Sequence, residues 1–320
     1  MIIKKISPCD YEKYNEISSL YGTIFDSLQW SSIFGENITH YGFYEGDELV
    51  GGFYTFEGGR YLMSICSNPP FTPTIGPFFK KDIKSPVSTM DNCKKILALI
   101  ADTIDDKHYA VISLSFDKTI IDMQPLIWKN FKVVPQYTYI VDLSASIDEL
   151  MARMSREKRK NIAKGIKDGV VVKSINDYNV VKSLVTKTFA RQNKKANASA
   201  IDKVLFNFAN STNSRAFAAF LNGVPIACEF FVYGKKTAHG LLSGYDPGNK
   251  HPSAGTMCYW ESIKYAKAQG LSYFDFEGSM VPALERYFRG FGGKLTPYYR
   301  ANKAKLPLEI CLKFFKRRLF

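Results

Sequence analysis

Three residues in the later half of this 320-residue chain have the types and neighbours that acid–base chemistry requires. Glu229 lies inside the apolar run Cys228-Glu229-Phe230-Phe231, where a charge is costly unless it is paired or faces a cleft. Glu277 closes the stretch Phe274-Asp275-Phe276-Glu277. Aromatic neighbours raise a carboxylate's pKa by desolvation and a nearby arginine lowers it. Glu277 therefore reads as a proton acceptor or amine-binding carboxylate, or as the salt-bridge partner of Arg289, and Asp275 is assigned to the opposite face of the strand. His239 is a base near neutral pH or a hydrogen-bonded core residue. Tyr245-Asp246-Pro247-Gly248 is a turn signal first, with Tyr245 and Asp246 as site contacts second. No metal is expected, because the six cysteines lack CxxC spacing and the four histidines form no HExxH or Cys/His ligand set.

These residues need a scaffold, and the chain offers a similar one twice. Gly42 to Tyr54 and Ala218 to Phe230 each read as a β-run, a turn rich in Gly, Asp or Asn, and a second β-run, the pattern of a hairpin. Met90 to Lys107 leads into the strand Tyr109 to Phe116, and Gly255 to Gly270 leads into Leu271 to Phe276. Ile96, Leu97, Ile100 and Ile104 in the first, and Tyr259, Ile263 and Ala266 in the second, follow helical spacing. Both halves thus run hairpin, strand, helix, strand, which predicts an α/β (α+β) fold of two domains, each a mixed sheet with helices packed on it. Length agrees, since single cores stop growing near about 250 residues. The expected divisions are 1–143, 144–302 with the site, and a tail of 303–320. After the first division, Ser146 and Glu149 form a capping box for one helix running to Lys167. Ile147, Leu150, Met154, Ile162 and Ile166 would face inward.

The chain carries a net charge of +13, and its excess is concentrated. Met151 to Ile175 holds eight Lys/Arg against Glu157 and Asp168; Arg300 to Phe320 holds seven against Glu309. Such density points to an anionic partner or to a solvated face. Arg156, Arg159, Lys160, Lys164 and Lys250 are the candidate anion or phosphate contacts. Without interleaved aromatics, any RNA contact by this helix would be made through the backbone and would weaken with salt. The tail mixes Leu308, Ile310, Leu312, Phe314 and Phe315 with Lys/Arg, which predicts peripheral contact with an anionic membrane or packing on the body. No apolar run approaches the roughly 18 residues of a membrane span, and the first residues lack a signal-peptide core, so a cytoplasmic protein at the inner membrane face is expected.

Several motifs resemble the FemABX-like transferases: Ser155 to Val172, Gly244-Tyr245-Asp246-Pro247, Phe274 to Ser279, Tyr287 to Gly293, the opening Phe25 to Trp30, Gly76-Pro77 and Phe116-Asp117. The resemblance covers nearly the whole chain. It implies tandem GNAT-like (acetyltransferase-type) domains and transfer of an acyl or aminoacyl group to an amine of a cell-envelope precursor, peptidoglycan-type or surface glycan. In that family a lysine of a Phe-Lys pair is held to stabilise the tetrahedral oxyanion. The matching pair here is Phe288-Arg289, which keeps the charge but not the shape or the ability to lose a proton. The resemblance also implies substrate contacts at Trp30, Asp117 and Ser279. Where the peptidoglycan enzymes place basic or tyrosine contacts, this chain has Ser32 and Leu242. CoA-using GNAT proteins hold pyrophosphate on a glycine-rich loop at a helix N-terminus. Asn249 to Thr256 lacks that pattern, so aminoacyl-tRNA is the expected donor ahead of acetyl-CoA, with no cofactor required. The alternatives are an acyl-CoA-dependent N-acetyltransferase of amino sugars and a non-catalytic protein that binds nucleic acid or a membrane surface.

Overall fold

A computed structural model describes residues 1–60, 63–80 and 85–318. From the N-terminus the elements are β1 (Ile2–Lys5), α1 (Tyr11–Tyr21), α2 (Leu28–Ser32), β2 (Ile38–Glu45), β3 (Glu48–Arg60), β4 (Met63–Ser67), β5 (Phe78–Phe79), α3 (Pro86–Asp105), β6 (Val111–Phe116), α4 (Gln124–Trp128) and β7 (Lys132–Asp142). There follow α5 (Ile147–Arg153), α6 (Arg156–Lys167), β8 (Val171–Ile175), α7 (Tyr178–Arg191), α8 (Ala198–Asp202), β9 (Ser214–Leu221), β10 (Val224–Tyr233), β11 (Thr237–Tyr245), α9 (Ala254–Ala268), β12 (Tyr273–Asp275), α10 (Pro282–Arg289), β13 (Lys294–Ala304) and α11 (Leu306–Phe315).

The chain forms two compact units, Met1–Gln136 with Pro297–Phe320, and Tyr137–Thr296. In the first, β1, β2, β3 and β4 pair antiparallel in sequence order, β4 pairs parallel with β6, and β6 pairs antiparallel with residues 299–304 of β13. In the second, β8, β9, β10 and β11 pair antiparallel in order, β11 pairs parallel with β12, and β12 pairs antiparallel with β7. Each unit therefore reaches its parallel pair through a helix, α3 or α9, because parallel neighbours need a long crossover. The hairpins at Gly42 to Tyr54 and Ala218 to Phe230 form as the patterning predicts. The second turns on Asn222 and Gly223, both with positive φ, a two-residue hairpin turn whose twist matches the strands.

Each sheet gains its core from the helix that bridges its parallel strands. Ile96, Leu97, Ile100 and Ile104 of α3 pack with Phe43, Phe53, Leu114 and Phe116. Tyr259, Ile263 and Ala266 of α9 pack with Phe217, Phe231, Phe274, Phe288 and Phe291. In the first unit, the opening motif and Gly76 meet: buried Asp26 accepts from the Gly76 N–H at 2.6 Å and from the Thr23 N–H at 2.7 Å.

Three expectations differ. Residues 137–143, placed with the first domain from the sequence, group with the second unit, and residues 297–302, placed with the second, group with the first, where β13 pairs with β6. The single helix expected through Lys167 is two. The Ser146–Glu149 capping box starts α5 as predicted, but Met154 is extended and Ser155 caps a new helix, accepting from the Lys158 N–H. This restart turns Lys158 into the core and leaves Ile166 exposed.

Candidate active site

The site sits where two parallel strands of the second unit part. β11 and β12 pair only from Thr237↔Tyr273 to His239↔Asp275, after which β11 runs on to Tyr245 while the other strand turns away. The turn uses Glu277 and Gly278, both with positive φ (57° and 113°). Just past the parting, β11 bulges against β10: Phe231 faces Gly240 and Phe230 faces Leu242, so Leu241 is the extra residue. Bulges of this kind recur beside active sites, where they redirect a strand.

On one face of the sheet, His239 Nδ1 makes a short hydrogen bond to Glu277 Oε1. Both groups are largely withdrawn from solvent. The carboxylate is itself positioned: the Glu277 N–H donates to Asp275 Oδ1 at 3.0 Å, and Thr138 Oγ1 donates to the same oxygen at 2.6 Å while accepting from the Gly278 N–H at 3.1 Å. The arrangement has the form of a base oriented by a carboxylate, which is in turn fixed by a further polar layer. Asp275 therefore shares a side with Glu277. This differs from the opposite-face expectation because β12 ends at Asp275 and the left-handed turn at Glu277 brings its side chain back beside Asp275 and His239. The donor atoms of His239, Asp275 and Glu277 lie within 4.8 Å of one another, close enough to share a cation.

On the other face lies a second group of buried ionisable side chains. Glu229 on β10 is fully buried, and neither carboxylate oxygen has a hydrogen-bond partner of normal geometry. Burial holds it well above the usual carboxylate range, only partly offset by the nearby Tyr259 hydroxyl. A β-carbon on Gly240 would come within 2.8 Å of Glu229 Oε1, so the glycine makes room for the acid. Lys158 of α6, also buried, places Nζ 3.0 Å from the centroid of the Tyr287 ring and 3.4 Å from Thr256 Oγ1. Burial pushes this amine down to about 7. The Tyr287 hydroxyl lies 3.3 Å from Thr256 Oγ1, and its ring meets Tyr259 edge-on. Lys158, Tyr259 and Tyr287 were not foreseen from the sequence. Lys158 does carry a signal, lying four residues from both Met154 and Ile162, on the apolar stripe itself.

The remaining predicted residues fall elsewhere. Arg289 ends α10 with its guanidinium 63% exposed and bonded to Glu285 at 3.0 Å, four residues back. Water screens such a charge, and its ion-pair partner is Glu285 on its own helix. Trp30 is wholly buried, with Nε1 donating to Thr72 Oγ1 at 2.9 Å and its ring edge-on to Phe25, so it is a core residue rather than a substrate contact. Asp117 caps a local turn through the Thr119 N–H. Ser279 donates through both N–H and Oγ to the Tyr137 carbonyl. Asp246 is held low by its 2.8 Å pair with Lys187 and accepts from the Gly248 N–H. The neighbouring Tyr245 lies under the Arg191 guanidinium. Arg156, Lys160 and Lys250 are exposed. Arg159 Nη1 donates to the Ala152 and Met154 carbonyls, and Lys164 pairs with Asp168.

Residues 134–289 match the acetyltransferase (GNAT) domain model, a span that contains the parted strands and both buried groups. No curated protein sequence matches the chain. Among solved structures, the chain is similar to FemX (TM-score 0.70, 12% identity, covering 93% of this chain and 97% of that one). It is also similar to the C-terminal domain of a putative lysylphosphatidylglycerol synthetase from Agrobacterium fabrum (TM-score 0.59, 11% identity, 95% and 94% covered). A tandem GNAT protein from the clavulanic acid biosynthesis pathway aligns with TM-score 0.50 at 8% identity, covering 83% of this chain and 82% of that one. At such identities the structural likeness speaks for the fold, and the domain match for the chemistry. FemX-like in fold along its length and GNAT in the unit that holds the site, the chain is an acyltransferase of FemABX-like architecture.

Proposed function

We propose that this acyltransferase joins an acyl or aminoacyl group to an amine of a cell-envelope precursor, with His239 as the base. The observation that carries the reading is the His239–Glu277 pair beside the parting of β11 and β12. In the reaction the amine nitrogen attacks the acyl carbon and a C–N bond forms. The bond from that carbon to the donor's oxygen or sulfur breaks, His239 takes the proton from nitrogen, and the leaving atom ends protonated. Glu277 holds the imidazole's Nδ1 side and stabilises the imidazolium that results. The envelope precursor, a peptidoglycan-type or glycan amine, is favoured by the FemX fold and by the basic α6. Aminoacyl-tRNA is the favoured donor, and Arg289 takes a peripheral role, meeting an anionic part of donor or acceptor at the surface.

The GNAT match itself favours a second donor, acyl-CoA, with an amino sugar as acceptor. One experiment separates the two. The protein is incubated with radiolabelled aminoacyl-tRNA or acetyl-CoA and with nucleotide-linked muropeptide or amino-sugar acceptors, and product is followed by mass spectrometry. Product from the tRNA donor supports the leading reading and product from acetyl-CoA the second; with neither donor, the base assignment falls. In the productive pairing, His239→Gln should lower turnover by about 10²–10⁴-fold.

A further inference from the structure

The helix α11 presents a face that nothing among the described residues of the first unit covers. None of its residues is buried. Leu306, Ile310 and Phe314 recur every four residues on one side, 72%, 51% and 81% exposed, and Phe315 is 83% exposed beside them. Leu308, Glu309 and Leu312 are the half-buried residues that turn toward the body. Lys305 precedes the helix, and Lys316, Arg317 and Arg318 follow it, all exposed. Glu309, the acid within this stretch, is already paired with Lys313 at 2.8 Å. Apolar side chains at helical spacing, flanked by unscreened cations, fit a helix lying in the plane of a lipid interface.

We infer that α11 is an interfacial anchor, its Leu306, Ile310, Phe314 and Phe315 side chains entering the headgroup boundary of an anionic bilayer and Lys316, Arg317 and Arg318 meeting its phosphates. Charge decides among occupants. A second copy of the chain would bring the same cations face to face, which repels. RNA would satisfy the cations but gain little from Leu306 and Ile310, which can neither stack on bases nor pair with phosphate. An anionic lipid surface satisfies both halves of the face. The binding does not depend on which acyl group is transferred, so it stands or falls apart from the catalytic reading.

The test is sedimentation of the full chain with vesicles of phosphatidylglycerol and phosphatidylcholine mixed, against phosphatidylcholine alone, at low and high salt. Wild-type protein should bind the mixed vesicles at least about tenfold more tightly than the neutral ones, and salt should weaken the difference. F314E/F315E and K316E/R317E/R318E, all at exposed positions and therefore compatible with folding, should each lose more than about tenfold in affinity. Unchanged binding of either variant, equal binding to neutral vesicles, or absence of wild-type binding would overturn the inference. So would concentration-dependent dimerisation that F314E/F315E abolishes, or tRNA binding that the same variant loses.

Discussion

Lys158 holds its ammonium nitrogen 3.0 Å from the centre of the Tyr287 ring, inside the core of the second unit. No carboxylate pairs with it among the described residues. The aromatic face and the Thr256 hydroxyl are its compensation, and they replace only part of the hydration a lysine loses on burial.

This cost should be visible as a pH effect on stability. Burial lowers the native amine to about 7, whereas the unfolded one keeps its proton up to the ordinary lysine value of 10.5. Between those limits the unfolded state binds more protons, so stability rises with pH. Lys158→Met, which fills the same space without a charge, should remove that rise and stabilise the protein at neutral pH by about 1–2 kcal/mol. Thermal melts of both proteins from pH 6 to 10 would show it; a wild-type curve that falls through this window would contradict it.

Glu229 carries the opposite sign. Its native carboxyl stays protonated well above the ordinary glutamate value of 4.5, so stability declines as pH rises past that value. Glu229→Gln should abolish the decline and leave the protein at least as stable at pH 7. Gly240→Ala should destabilise by about 1–3 kcal/mol, because its new methyl overlaps the acid's oxygen. Denaturant titrations at two pH values check both.

Glu277 separates strain from function. At φ 57° it holds a backbone conformation that glycine adopts freely. Glu277→Gly should hold or raise stability, by up to about 1 kcal/mol, while transfer falls with loss of the His239 partner. A variant that melts earlier yet turns over normally would assign Glu277 to the fold and not to the chemistry.

Arg289→Ala should do little. An exposed pair four residues apart on a helix contributes about 0.3–0.5 kcal/mol, and the guanidinium is bound to Glu285 rather than aimed at the base. Retained turnover, within a few-fold, is the expected result; a collapse with intact melting would restore the oxyanion role.

The repeated order of hairpin, strand, helix and strand was legible because strand and helix periodicities differ and each recurs twice. The site was legible only in pieces. Glu229, His239 and Glu277 each stand out as polar residues in apolar runs, but their grouping depends on the parallel register His239↔Asp275 and on the turn at Glu277, which no local pattern specifies. Lys158 was hidden in a run of basic residues until the break at Met154 set its helix's orientation. Arg289 is exposed for the reverse reason: adjacent positions on a helix point about 100° apart, and Phe288 takes the inward direction.

The break between units also bears on how the protein is made. Tyr137–Thr296 is one uninterrupted stretch, whereas the first unit waits for residues 299–304 to complete its sheet beside β6. Emerging from the ribosome, the chain thus finishes its middle before its beginning. The nascent N-terminal portion keeps β6 unpaired on that side until β13 has emerged, an interval in which a chaperone would find an open strand edge to shield.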